Sequence, residues 1–435
     1  MRVLARMGTL AALVLSAWTS ALVAAEPSPF DGDHHFVVVT FANDPYRPAL
    51  PAGTNGRRYA SRGYSLAESA NSNAHRVASA YSLRQVASWP IKELRVHCVV
   101  YQIPDSRSVA EVVAALAKDP RVTLVQPLQE FRTLTGQPAS GAQSAPMTYN
   151  DPLYGLQTNL VAMDIPAAQQ RSQGAGIKVG LIDTAVDSAH PDLHDRIAGT
   201  RSFVGASSPT PAAPASYRHG TAMAGLIAAV ANNKVGIVGI APLARIEVFQ
   251  ACWQLKPNSD EAACNTFTVA QAIAAALEAH VPLINLSIAG PADPLLSALV
   301  QSGLKRGVIF VGSTTTDANT FPTNVDGVIG VANSDNTPSN TTAGTGSGST
   351  LAAPGSHVMT LLPNGQYDFE SGTSVAAAEV TGIIALLLGA DSHLARDAIV
   401  SLLKSTSHSA SIDVNSALAK VEAEKGAGRL ARSSH

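Results

Sequence analysis

The sequence predicts an α/β fold: a mostly parallel sheet covered by helices on both faces, preceded by a small α+β unit. Three observations carry this. From about Asn150 onward, short runs rich in β-branched residues alternate with helix-compatible stretches. Those runs are almost continuously apolar, as strands buried on both faces must be. Upstream, a shorter stretch has its own strand and helix signals, and a segment without periodicity follows it.

The strands of the larger part are Ile177–Asp183, Arg245–Ala251, Val281–Ile288, Gly307–Ser313 and Gly327–Asn333. Thr268–Ala279 and Pro294–Arg306 are among the helices between them. Active sites of such open sheets lie at the carboxyl ends of the strands. In the smaller part, His35–Phe41 and Leu94–Ile103 read as strands and Leu66–Trp89 as mostly helical. Ser108 caps a further helix, with Glu111 completing a capping box, and "RVTLVQPL" forms another strand. The Gly, Pro, Ala and Ser-rich segment Gly136–Pro146 marks the boundary.

Composition narrows the class. Charged residues make up 14% of the 435 residues and the net charge is -2. Soluble domains carry roughly 25% charged residues. The low charge, with 46% apolar residues, suits a compact enzyme with buried helices and offers no electrostatic attraction to nucleic acid. Arg2 and Arg6 precede an apolar run, Leu10–Val23, and small residues, Val23-Ala24-Ala25, stand before Glu26. This is the pattern of an export signal. The run is shorter than the roughly 20 residues a spanning helix needs, so no membrane anchor is expected after its removal. The other apolar stretch, around Ile383–Leu388, is short.

An exported protein meets an oxidising compartment, where Cys252 and Cys264, flanking a polar loop, are expected to pair. Cys98 lies in an apolar strand and reads as a buried thiol.

Three stretches carry chemistry. "VGLIDTAVDSAHPDL" places Asp183 at a strand end. "HGTAMAGLIAA" places His219 at the start of a helix of small residues. "SGTSVAAAEVTGIIALLL" places Ser374 at the start of another. A nucleophilic serine needs a base, and the base needs an acid to hold its tautomer. Singly, each is also explained as a turn residue, a structural histidine or a helix cap. The three occur together, in the order Asp, His, Ser, within an α/β pattern.

The combination resembles the subtilisin-like family, the subtilases, over roughly Asn150–Leu418. The resemblance includes "NDPLYGLQ", "DTAVD" with "HPDL", "HGTAMAG", "VGIVGIAPLA", "INLSIAG", "LAAPG" and "GTSVAA". It implies a secreted serine endopeptidase acting on polypeptide, with Ser374 as nucleophile, His219 as general base and then acid, and Asp183 as orienting carboxylate. The upstream region, with "DPRVTLVQP", looks like the inhibitory prodomain of such enzymes. The organisation expected is a signal peptide at 1–25, prodomain at 26–135, linker at 136–148, catalytic domain at 149–420 and tail at 421–435. The linker is expected to reach the active site. Ser287, Ile288 and Ala289 match the edge segment that pairs with an extended substrate.

Several positions depart from the family pattern. Thr316 stands where an oxyanion-hole asparagine is usual, with Thr315 or Asp317 there if the alignment slips by one. A threonine hydroxyl donates one hydrogen bond and an ionised carboxylate donates none, so Thr316 is expected to be a weak oxyanion donor beside the Ser374 backbone N–H. Ala289 and Ala185 replace glycines, Ala378 a proline and Glu379 a histidine; Glu379 is expected to reach solvent. The altered oxyanion segment motivates a second reading, an inactive fold acting as a binding module. An α/β-hydrolase esterase is disfavoured, because Ser374 is not in a Gly-x-Ser-x-Gly elbow and the triad order differs.

Related enzymes often bind calcium for stability. Asp187, Asp192 and Asp195 have the right oxygen chemistry, but no dedicated calcium loop is visible. No cofactor is required by this reading and no metal ligand is assigned.

Overall fold

A computed structural model describes residues 35–43, 67–134, 149–204, 217–255, 261–336, 350–408 and 411–433. The export signal and the 136–148 linker read from the sequence lie outside the described residues.

The N-terminal unit comprises β1 (Phe36–Ala42), α1 (Glu68–Tyr81), β2 (Arg84–Ile91), β3 (Val96–Gln102), α2 (Val109–Leu116) and β4 (Leu124–Pro127). The strands form an antiparallel sheet in the order β2-β3-β1-β4. Helix α2 starts at the capping box read from the sequence: Glu111 N–H donates to Ser108 Oγ, and Ser108 N–H to the Glu111 carboxylate. The helix expected over Leu66–Trp89 instead ends at Tyr81, and Trp89 lies in β2. Strand β2 is a partly exposed edge strand with few β-branched residues, so its local signal is weak. A short strand, β5 (Glu130–Thr133), leaves this sheet altogether.

The larger unit begins with α3 (Thr158–Ala162) and α4 (Ile165–Arg171), then β6 (Lys178–Asp183), β7 (Ile197–Ser202) and α5 (Arg218–Ala228). There follow β8 (Arg245–Gln250), β9 (Cys252–Gln254), β10 (Ala262–Asn265) and α6 (Thr266–Glu278). Next come β11 (Leu283–Leu286), β12 (Ile288–Ala289), α7 (Pro294–Leu304), β13 (Ile309–Ser313), β14 (Ile329–Asn333) and β15 (Leu351–Ala353). The hairpin β16 (Val358–Leu362) and β17 (Gln366–Glu370) then leads into α8 (Thr373–Ala390).

Seven of these strands form a parallel sheet in the order β15-β14-β13-β11-β6-β8-β7. The chain builds one side from β6 and then crosses to β11, so the topological switch point lies between β6 and β11. One core cluster joins α5 and α8 to one face of the sheet, and a second joins α6 and α7 to the other. Helix α8 is long and apolar enough to cross a membrane by composition, yet 83% of it is buried inside the protein. It is the central helix of the fold.

The N-terminal sheet is buried on both faces, which explains its continuously apolar "FVVVTF". Val37, Val39, Val99 and Tyr101 pack with α1 and α2. Phe36, Val38, Cys98 and Val100 share a core with α6 and α7 of the larger unit. Cys98 is a free, buried thiol, and burial pushes its pKa up. Trp89 and Phe267 meet edge to face, with ring centroids 4.6 Å apart.

Candidate active site

Asp183 ends β6 at the switch point and His219 opens α5. His219 Nδ1 lies 2.8 Å from each Asp183 carboxylate oxygen, and both side chains are buried. Thr184 N–H also donates to Asp183 Oδ1 at 2.6 Å. A carboxylate on Nδ1 orients the imidazole and selects the tautomer whose Nε2 acts as base.

Ser374 is the second residue of α8 and fully buried. Gly372, just before the helix, has φ 145° and ψ 168°, a conformation open essentially to glycine alone. Its N–H donates to the Gly355 carbonyl at 2.7 Å, fixing the turn that presents Ser374. The Ser374 hydroxyl donates to the Ser287 carbonyl at 3.2 Å. Ser287 Oγ bonds Asn285 Oδ1 at 2.8 Å, and Asn285 Nδ2 donates to Thr381 Oγ1 at 2.9 Å. These bonds lock the end of β11 to α8.

The strand read from the sequence as Val281–Ile288 is broken at Ser287, and its end, β12, joins a different sheet. That sheet has the order β12-β5-β10-β9 and is antiparallel throughout. Strand β5 of the N-terminal unit is thus held between β12 and β10, with Ile288 opposite Thr133 and Ala289 opposite Arg132. One residue further, Leu134 N–H donates to Ser374 Oγ at 3.1 Å, and Ser374 N–H donates to the Leu134 carbonyl at 3.4 Å. Leu134 therefore sits against Ser374 through both its backbone groups.

Local sequence reading missed several residues of this cleft. Phe131, three residues before Leu134, is fully buried, with its ring centroid 5.6 Å from that of Phe321. Gly290 backs the same pocket: a Cβ there would lie 2.2 Å from the Phe131 ring, so only glycine leaves room. Gly290 and Phe321 bond each other's backbone in both directions. Ala262 N–H donates to Thr133 Oγ1 at 3.1 Å from the β10 side. Asp293, capping α7, accepts from Gln126 Nε2 and Thr266 Oγ1, both at 2.7 Å, tying β4 to α6 and α7. Burial raises its pKa. The one signal available was the "INLSIAG" run, which ends at Gly290.

Thr316 is exposed on the loop after β13, and Ser374 N–H is the donor to the Leu134 carbonyl among the described residues. Thr315 Oγ1 is engaged with the Asp317 carbonyl and Thr320 Oγ1, and Asp317 accepts from Asn319 N–H. Glu379, read from the sequence as reaching solvent, is instead fully buried. Its Oε1 accepts from Asn159 Nδ2 at 2.6 Å and its Oε2 has no hydrogen-bond partner among the described residues. Helix α8 is central, so no face of it offers an exit; burial pushes the Glu379 pKa well up. Cys252 and Cys264 are joined by a disulfide.

The carboxylates considered for calcium stand apart. Asp192 is buried and accepts from Asn233 Nδ2 and Ile237 N–H, with its pKa pushed up to about 6 by burial. Asp187 accepts from Ala189 and Asn364 N–H groups, and Asp195 is exposed beside His194. Among the described residues no group of three His, Cys, Asp or Glu side chains converges to hold a metal ion.

An open parallel sheet with a buried Asp–His pair at its switch point and a helix-start serine beside a bound strand defines a serine hydrolase-like architecture. A family model described as the subtilase family matches residues 174–428, and the chain belongs to that family. It is 33% identical to thermitase of Thermoactinomyces vulgaris over 247 residues, 55% of this chain and 85% of thermitase. It is 29% identical to subtilisin E of Bacillus subtilis (strain 168) over 294 residues, 64% of this chain and 68% of subtilisin E. In fold it resembles fervidolysin from Fervidobacterium pennivorans, a keratinolytic enzyme related to subtilisin, with a TM-score of 0.66 and 20% identity. That match covers 89% of this chain and 61% of fervidolysin.

Proposed function

We propose that this chain is a serine endopeptidase made as a self-processing, exported precursor, with Asp183, His219 and Ser374 as its triad and residues 26–134 as an intramolecular inhibitor. Family membership and relatives named as serine proteases support the coarse reading. One observation carries the finer one: β5 lies in the cleft as an added strand, and Leu134 contacts Ser374 through both backbone groups. The chain is its own first substrate.

In this reading the Ser374 hydroxyl proton, donated to Ser287 here, is redirected to His219 Nε2 as Oγ attacks the Leu134 carbonyl carbon. Asp183 stabilises the imidazolium through Nδ1–H. The new oxyanion receives the Ser374 N–H that already meets this carbonyl. His219 then gives its proton to the departing Thr135 nitrogen, leaving Leu134 as an ester on Ser374. Water activated by His219 hydrolyses that ester. Cleavage after Leu134 falls just before the 136–148 linker that the sequence is expected to bring to the active site.

The cleaved strand keeps its backbone pairing with β12 and β10, so the N-terminal unit remains bound as inhibitor. A synthetic segment from Glu26 to Leu134 is expected to inhibit the processed enzyme below micromolar concentration. No inhibition at that concentration would remove the inhibitor role. Export is supported by the Arg2, Arg6 and Leu10–Val23 pattern and by the disulfide. A second reading, an inactive binding module, draws on the exposed Thr316 and the single described donor at the Leu134 carbonyl. Labelling of Ser374 by a fluorophosphonate separates the two: label supports the protease, and its absence supports the module.

A further inference from the structure

The two walls of the cleft are built differently. On one side β12 continues directly from β11 of the main sheet. It is braced by the Ser287–Ser374 bond and by the two backbone bonds between Gly290 and Phe321. On the other side β10 has only two strand neighbours among the described residues, β5 and β9. When β5 leaves, β10 keeps only β9 of these two neighbours. Strand β9 is three residues long and β10 four, and a two-stranded ribbon of that size is marginal by itself.

The disulfide stands at this weak point. Cys264 is directly opposite Cys252 across the β9–β10 pair and directly opposite Phe131 across the β10–β5 pair. Cystine and Phe131 therefore share one face of the sheet in neighbouring register. Phe131, Cys252 and Cys264 are all fully buried in the same apolar cluster. Next to Cys264, Asn265 ends β10 and caps α6, so the bridge and that cap together fix the C-terminal end of β10, while its start at Ala262 is left to the pairing with Gln254.

Resting on the proteolytic reading above, we infer that Cys252 and Cys264 are positioning residues that set how extended a substrate the enzyme can hold. Their bridge keeps β10 at strand spacing from the bound chain. A polypeptide reaching four residues upstream of the cleaved bond is then clamped along both edges. Among the described residues neither cysteine pairs with Asp183, His219 or Ser374; the nearest link is Ala251, whose N–H donates to the Asp183 carbonyl, so the test must separate an effect on binding from one on bond cleavage. A substrate that reaches only Ser374 does not use this wall.

The test compares wild type with Cys252→Ala/Cys264→Ala, each produced as full chain and left to process. Two substrates are used: Phe-Arg-Thr-Leu with a chromogenic C-terminal amide, and an N-acetyl-leucine ester. Expected is a rise in KM for the tetrapeptide of about 10-fold or more, with kcat and the ester rate changed less than about 3-fold. An unchanged tetrapeptide KM, or an equal loss on both substrates, overturns the inference. If the alanine pair does not mature, Cys252→Ala/Cys264→Val, which fills the buried space, is measured in the same way.

Hydrogen exchange on the full-length Ser374→Ala chain needs no turnover and so separates the bridge from the protease reading. Removing the bridge should speed exchange of the Phe131 to Leu134 amides about 10-fold relative to those of β1 and β3. Equal exchange with and without the bridge also overturns the inference. Absence of turnover in wild type, by contrast, bears on the protease reading alone.

Discussion

Two regions that the sequence reading ties to catalysis are held in contrasting ways. Around Asp183 and Ser374, the polar groups are buried and bonded: the carboxylate to His219 and Thr184, the serine to Ser287, and Ser287 to Asn285. Toward the loop after β13, Thr316 is exposed, and Thr315 and Asp317 satisfy each other and their neighbours. The side that matches the family motifs is the over-determined side. The side that departs from them is at the surface, where a change of residue leaves no buried group unpaired. Catalysis in this chain is therefore expected to rest on the triad and the Ser374 N–H, with little from the Thr316 side chain.

That contrast gives ordered expectations. Asp183→Asn should leave the fold intact and lower turnover by about 10⁴, because the amide favours the wrong imidazole tautomer. Steady-state kinetics on a peptide amide measures this, and a loss under about 10-fold would make the buried side dispensable. Thr316→Asn should raise turnover by roughly 10-fold, since loss of such an asparagine from a subtilisin costs about 10²–10³. No gain would mean that the loop geometry, rather than the residue, keeps a donor from the oxyanion. Gly290→Leu should force the Phe131 ring out of its seat at a cost of about 1–3 kcal/mol. This would weaken inhibition by the Glu26–Leu134 segment by roughly 10- to 100-fold, read as its inhibition constant. Thr316→Val should change turnover by less than about 3-fold; a larger loss would make its hydroxyl a donor after all.

Glu379 gives a pH test of the buried side. Its folded pKa is raised above the unfolded value, so the contribution is fully present below the unfolded pKa and is lost as pH rises toward the folded pKa. Each pH unit of that rise costs about 1.4 kcal/mol, because the folded chain must keep a proton that the unfolded chain releases. Glu379→Gln keeps an acceptor for Asn159 and removes the slope. Urea unfolding of Ser374→Ala chains between about pH 5 and 8 should show stability declining with Glu379 in place and a flatter profile in the Glu379→Gln variant. Parallel curves would contradict the burial argument.

Much of the architecture was legible because its signals are local. The parallel strands β6, β8, β11, β13 and β14, helices α6 and α7, and the Ser108–Glu111 box follow from apolar runs and caps that a short window contains, whereas the mostly exposed edge strand β7 offers no such run. So does the placement of Asp183, His219 and Ser374 at element ends. What escaped depends on distant partners. Nothing within "EFRT" says that its neighbours are β10 and β12, more than 120 residues downstream. The Phe131 pocket needs Gly290 and Phe321, which the sequence separates by 31 positions. Glu379 was misread because charge argues for a surface, whereas the position of α8 at the centre of the fold decides its burial. Strand β2 was misread because an edge strand needs few β-branched residues.

The central claim is that Leu134 marks the bond this chain cleaves in itself. Intact mass and N-terminal sequencing of the precursor over time, beside its Ser374→Ala form, test it most directly. The account predicts that wild type yields a fragment starting at Thr135 while Ser374→Ala stays whole. A wild-type chain that stays whole, or one cut at the same bond in both forms, would contradict it.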